Sequence, residues 1–470
     1  MARVSRDAAL IAAAVFIATA ARLYFGVITS DDAYITYRYA RNIATVHEFV
    51  YDPGERVLGT STPLYAFVLA GTAALGLPLE KTSNLIGVAC DGLMIAVLYR
   101  MIARAGFRDA AALGAAMTGA VSMGIATASA GMETPLYNLL LLLTFGAGAA
   151  AAETGSSIRP ALLAVMLGMC RPEAVLAVGV IVVGLAISRP GIALRVAIIG
   201  LAFALPLLAA AYWYYGSLVP QSVVAKASFI ERSWAGVSLF AQFLFSRSHV
   251  IPTLLAIVGA LGLAGAGRVW RWMIIWWIAY AAAFAITGAF PHASWYFVPL
   301  LPLYWASVAV GLATVVARYS PPRLSPVVFT GAAIVLLATT IAHWPGYRAA
   351  LRQVYAIRER PYLEIASSIA TSDRPCKVAA TEIGAVGWAF PGRIIDLGGL
   401  VTPEAVRRPP ADVLRDTGAQ WLVTQNIYLP QALAQDSSFR HAFALVESVP
   451  LEPGRTMDVY KRIAGSCGGG

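Results

Sequence analysis

Two adjacent carboxylates, Asp31 and Asp32, stand where a long apolar run from Ala8 to about Ile28 gives way to Ser30-Asp31-Asp32-Ala33-Tyr34-Ile35-Thr36-Tyr37-Arg38-Tyr39-Ala40-Arg41-Asn42. Neighbouring acids repel. One of such a pair holds its proton to higher pH and can act as a base, while the other binds hydroxyls or a cation. An Asp ahead of a helix also satisfies free backbone N–H groups, and one Asp can do each job. Glu133, in Gly131-Met132-Glu133-Thr134-Pro135-Leu136, is a third carboxylate at the end of an apolar run. A charge there is costly unless water or a cation reaches it. It suits acceptor hydroxyls, a divalent cation shared with Asp31 or Asp32, or a cap on the next helix. No His or Cys cluster accompanies these acids, so the sequence implies no cofactor beyond that candidate cation.

Five cations are candidates for binding an anion. Arg171, in Cys170-Arg171-Pro172-Glu173, interrupts two apolar stretches, where only an anion or a carboxylate such as Glu173 makes it tolerable. Lys226 follows the aromatic cluster Tyr212–Tyr215 and either binds or snorkels to the interface. His292 lies beside Trp295 and Tyr296, and Arg38 and Arg41 follow the acidic pair.

These residues need membrane helices to hold them. Of 470 residues, 59% are hydrophobic and 13% charged, with a mean hydropathy of +0.69. Soluble chains carry about 25% charged residues, so this one cannot cover a water-soluble particle of its size. The net charge of +10 comes largely from Arg in short loops between apolar runs, where it orients helices rather than binding nucleic acid. Spans are expected at 8–28, 84–103, 110–130, 134–152, 160–171, 173–188, 193–215, 250–267, 271–289, 296–317 and 325–343. The pair meeting at Arg171 is expected to form short helices that converge on a water-filled cavity. Asp91, inside a span, reads as the partner of a neighbouring helix, and the Trp270–Trp277 run reads as an interfacial belt and packing surface.

Pro63–Leu77 is too short to cross comfortably. If it lies along the interface, Arg100, Arg104, Arg108, Arg159, Arg189, Arg195, Arg268, Arg271, Arg318 and Arg323 all fall on the cytoplasmic side, as positive-inside bias requires. The expected fold class is therefore a mainly α polytopic membrane protein of about eleven spans, N-terminus in and C-terminus out. Its membrane domain is 1–345, with an outer loop at about 29–83. From 346 to 464 the charge density becomes ordinary. Strand-like runs at Val378–Thr381, Ile394–Leu397, Trp421–Thr424, Ala444–Val449 and Met457–Tyr460 alternate with helices near 362–370 and 410–417, which predicts a small extracytoplasmic α/β domain. Residues 465–470 read as a disordered tail.

Several segments in order resemble one family. Asp-Asp-Ala-Tyr-Ile at 31–35, Arg-Tyr-Ala-Arg-Asn at 38–42, Tyr-Asp-Pro-Gly-Glu-Arg-Val at 51–57 and Thr-Ser-Thr-Pro-Leu at 60–64 are similar to the first outer loop of GT-C glycosyltransferases. The branch they resemble includes the mycobacterial terminal arabinofuranosyltransferases. Gly131–Leu136, Arg171-Pro172-Glu173, Ile383-Gly384-Ala385-Val386-Gly387 and Ile395-Asp396-Leu397-Gly398-Gly399-Leu400 look like its later signatures. The resemblance implies a polyprenyl-phosphate donor carrying one sugar at the outer leaflet of the plasma membrane, and a glycan, glycolipid or protein acceptor. It implies that Asp31 or Asp32 acts at the reaction centre. Arg171, Lys226, His292, Arg38 and Arg41 then become candidates for the donor phosphate. The chain is shorter than those enzymes, which leaves sugar and acceptor open. A lipid or sugar transporter is the alternative; it would show inverted repeats and charges along a through-path, whereas here the polar residues gather on one side.

Overall fold

The computed structural model describes residues 2–229, 234–288, 294–372 and 377–463. Its described residues fall into two compact units, one drawn from 1–27, 83–207 and 230–349, the other from 28–82, 208–229 and 350–470. Residues 28–82, expected within the membrane domain, group instead with 208–229 and 350–470.

The first unit is helical. Among the described residues, seven helices are long and apolar enough to cross a membrane, or eight if Trp234–Phe245 and Val250–Ala266, bent by 86°, form one broken span. Fewer than the eleven expected segments meet that standard. The run 110–130 breaks at Val121 into Arg108–Ala120 and Ser122–Ser129. Ile158–Cys170 and Ala174–Ser188 have 13 and 15 residues, about 20 and 23 Å at 1.5 Å each, against a hydrocarbon core of about 30 Å. Proline in the first turn starts Thr134–Thr154, Leu301–Tyr319 and Ser325–Ala342, where its missing N–H is no loss. Gly259 and Gly311 let Val250–Ala266 and Leu301–Tyr319 meet backbone to backbone. A Cβ on either would overlap a carbonyl oxygen of the facing helix, that of Ser307 or Leu255.

Asp91 has its partner in this unit. Arg22 Nε donates to Asp91 Oδ2 at 2.6 Å, and Arg22 Nη1 donates to the carbonyls of Ala18 at 3.0 Å and Gly119 at 3.2 Å. Both residues are buried, so the pair neutralises two charges that apolar helices could not hold separately.

In the second unit, Asp31–Val46 buries ten of its sixteen residues. It packs on Pro63–Ala74 and Gly384–Ala389. Pro63–Ala74 has 12 residues, about 18 Å, too short to span. Five strands form one sheet: β1 Lys377–Ala380, β2 Arg393–Asp396, β3 Trp421–Gln425, β4 Phe443–Glu452 and β5 Arg455–Arg462. Their order is β2-β1-β3-β5-β4. β1 pairs parallel with β2 and β3, and β5 pairs antiparallel with β3 and β4. All five lie where short strand-like runs predict strands. Val413, Leu414, Leu422, Leu433 and Phe439 fill one core beneath the sheet.

Candidate active site

Asp31 is the first residue of its helix and is buried, but it does not cap that helix. Its Oδ2 accepts from Gly384 N at 3.0 Å and its Oδ1 from Ala385 N at 2.7 Å, so the carboxylate sits on the N-terminus of Gly384–Ala389. The Asp31 N–H donates to Glu359 Oε1 at 3.3 Å. Burial pushes the carboxyl up from its ordinary 3.8 to about 7. The Glu382 charge adds to the rise, while Arg358 and the Ala385 N–H oppose it. Gly384 is required here by close approach, because a Cβ would overlap the Asp31 carbonyl.

Asp32 lies at the surface. Its Oδ2 is 3.7 Å from Lys226 Nζ, and each side chain keeps 30% of its exposure. Lys226 rides on Gln221–Phe229, whose start is pinned twice: Gln221 N donates to Leu58 O at 2.7 Å and Gln221 Nε2 to Gly399 O at 3.0 Å. Asp396 holds the second of these anchors. Its carboxylate accepts from Gly398 N at 2.8 Å, Leu400 N at 2.5 Å and Val401 N at 3.1 Å. Thus the Asp-Leu-Gly-Gly-Leu segment positions a cation beside the acidic pair.

Arg38 corrects an expectation. Its guanidinium is buried in a cage of acceptors: Tyr51 O at 2.8 Å, Phe390 O at 2.8 Å, Gly392 O at 2.7 Å, Asp52 Oδ1 at 2.5 Å and Gly387 O. All of its nitrogens are engaged, which leaves no donor for a ligand phosphate. Arg38 is a structural clamp. Arg41 lies 4.7 Å over the Trp388 ring and donates to Trp388 O at 3.1 Å, so it too is engaged with the protein.

Arg171 belongs to the helical unit and is buried between two carboxylates. Nε lies 2.6 Å from Glu173 Oε1 and Nη1 lies 3.3 Å from Glu133 Oε1, with Thr134 Oγ1 also at 3.3 Å. The rings of Tyr296 and Tyr137 are 5.2 and 5.7 Å away. Its charge is compensated without a bound anion, which favours the ion-pair reading over phosphate binding. Glu133 is likewise held by Arg171. Arg171→Ala strands two buried acids and is expected to cost about 3–5 kcal/mol of stability. Glu173→Gln leaves the Arg171–Glu133 pair intact and should cost well under half of that. Thermal unfolding of the purified variants measures both, and equal losses would contradict the three-member arrangement.

His292 lies outside the described residues. Among the described residues no group of three or more His, Cys, Asp or Glu side chains is placed to hold a metal ion. Sequence reasoning missed Arg358, Glu359 and Glu382. Arg358 Nε donates to Glu382 Oε1 at 2.6 Å, with a second bond from Nη2, and Nη1 lies 3.5 Å from Glu359 Oε1. The one available signal was Glu382 standing directly before Ile-Gly-Ala-Val-Gly.

Residues 350–460 match a family model described as a domain of unknown function (DUF8728). No curated protein matches by sequence. Among solved structures, the chain is similar to ArnT from Cupriavidus metallidurans bound to undecaprenyl phosphate, with TM-score 0.63 and 14% identity over 97% of this chain and 98% of that one. The apo form of the same protein gives TM-score 0.62 at 14% identity, covering 98% of each chain. An Archaeoglobus fulgidus oligosaccharyltransferase in complex with Zn and sulfate gives 0.59 and 11% identity, over 88% of this chain and 68% of that one. These likenesses show a fold shared with those proteins, and the apolar helices are those of a multi-pass membrane protein. The finer expectation of an arabinofuranosyltransferase has no counterpart among them.

Proposed function

We propose that this chain is an integral membrane glycosyltransferase that moves one sugar from a polyprenyl-phosphate donor to a hydroxyl of a cell-envelope glycan, glycolipid or protein. The reaction takes place on the extracytoplasmic face of the plasma membrane, the side on which positive-inside bias leaves the outer loop. Arabinofuranose is the sugar that the motif resemblance favours. One observation carries the reading: an acidic pair and an ammonium group meet at the start of the first outer loop. That loop belongs to a fold whose ArnT example was solved with undecaprenyl phosphate.

In this reading Asp31 takes the proton of the acceptor hydroxyl as its oxygen attacks the anomeric carbon. A base with a pKa near 7 suits that task at neutral pH, and each Asp31 oxygen accepts only one of the hydrogen bonds it can take. Asp32 orients hydroxyls at the rim. Lys226 meets the phosphate as the glycosidic bond breaks and charge builds on the leaving oxygen. A partly exposed ion pair contributes about 0–1 kcal/mol, so Lys226 can leave Asp32 for a phosphate at little cost.

The test uses purified protein in nanodiscs with a polyprenyl-phosphate sugar and an envelope acceptor. Release of polyprenyl phosphate coupled to acceptor glycosylation is expected. Lys226→Ala should raise donor KM about tenfold or more, the worth of one charge-assisted hydrogen bond, and Lys226→Arg should recover most of it. Movement of intact donor across vesicles without sugar release would instead establish the transporter.

A further inference from the structure

We propose that Arg358, Glu359 and Glu382 are positioning residues for Asp31, so that the 350–460 region governs the protonation of the outer-loop carboxylate. The inference rests on the reading of Asp31 as the proton acceptor. Asp31 is gripped on both sides by this region: Glu359 takes its backbone N–H, and the turn after Glu382 gives two N–H groups to its side chain. Together these contacts fix the backbone and both carboxylate oxygens of one residue.

The charges follow the same plan. Arg358 is held in a fork by Glu382 and lies beside Glu359, so a cation and an acid act on the Asp31 carboxyl from fixed places while Glu359 holds its backbone N–H. Glu359 and Glu382 keep only 4% and 11% of their side-chain exposure. Among the described residues, Oε2 of each is buried without a hydrogen-bond partner. Here each spends one oxygen on the Arg358–Asp31 assembly, Glu359 on the Asp31 N–H and Glu382 on Arg358, and the Glu382 charge acts on Asp31.

The other titratable groups facing Asp31 are few. Asp32 is next to it on the same helix and is paired with Lys226. The Tyr51 and Tyr362 hydroxyls also feel its charge, but they are bonded to Ile383 O and Gln425 N. Glu382 favours the protonated form of Asp31 and Arg358 the ionised form. Their removal therefore has opposite consequences, which loss of packing would not produce.

Two readouts on the full chain test this: the acidic limb of kcat/KM and the pH at which the apparent Tm falls as Asp31 ionises. Glu382→Gln should move both midpoints down, and Arg358→Gln should move both up, by about one unit each. If Arg358→Gln does not fold, the double variant Arg358→Gln/Glu382→Gln serves, and its midpoint should lie above that of Glu382→Gln alone. Glu359→Gln keeps an acceptor for the Asp31 N–H, and its catalytic rate should exceed that of Glu359→Ala. Midpoints that stay fixed, or that move in the same direction for both charges, overturn the proposal. If the Tm midpoint moves and the rate limb does not, the positioning role stands and the assignment of Asp31 as base falls.

Discussion

Asp31→Asn is expected to lower transfer at least about 100-fold while raising the apparent Tm at pH 8. The loss follows from removing a positioned base, which typically contributes 10²–10⁴. The gain follows from linkage. The folded-state pKa of Asp31 is raised, to about 7 against 3.8, so the stability tied to its proton is fully present below about pH 3.8. It is lost as pH rises through 7. The shift amounts to about 4 kcal/mol in order of magnitude. Asn carries no such dependence, and its carbonyl oxygen still accepts one of the two N–H groups at Gly384 and Ala385. Asp32→Asn should behave differently. It removes a rim carboxylate beside Lys226, so its main loss should fall on KM, and the pH dependence of Tm should persist with its midpoint moved slightly down, because Asp32 is the smallest of the charges that raise Asp31. Reversal of the two kinetic patterns, with Asp31→Asn turning over normally, would assign the base to Asp32 and leave Asp31 as an acceptor for the N-terminus of Gly384–Ala389.

The acidic pair was legible because adjacent carboxylates at the end of an apolar run have few structural uses. What surrounds them was not. Arg358, Glu359 and Glu382 lie more than 300 positions downstream, and nothing in local spacing says that they meet Asp31. Arg38 shows the converse failure. An Arg two turns after an acidic pair looks available to a phosphate, yet five acceptors, four of them backbone carbonyls, consume it. Backbone carbonyls carry no sequence signal. The five strands were legible because short runs of β-branched and apolar residues stand between turn residues. The break at Val121 was not, since residues 110–130 carry no charge and hydropathy cannot register one residue leaving helical geometry.

Gly384→Ala is expected to destabilise the protein by about 3 kcal/mol or more and to abolish transfer, although position 384 bears no functional group. An added Cβ would overlap the carbonyl oxygen and carbon of Asp31, and it would crowd the Asp31 carboxylate carbon. Those backbone atoms belong to the first turn of a helix whose residues are mostly buried, so they cannot yield as the tip of a side chain would. Relief requires Asp31 to leave the Gly384 and Ala385 N–H groups, which removes the geometry that holds the base. Gly387→Ala supplies the contrast. There the overlap is with the Tyr51 hydroxyl, a side-chain tip that donates to Ile383 O at 2.5 Å. Tyr51→Phe deletes that oxygen, so the double variant Gly387→Ala/Tyr51→Phe should recover part of the stability that Gly387→Ala loses. No side-chain truncation should rescue Gly384→Ala. Thermal unfolding and transfer assays on the four variants decide the matter. If Gly384→Ala keeps wild-type stability and turnover, the contact between this glycine and Asp31 does not hold the acidic pair in place.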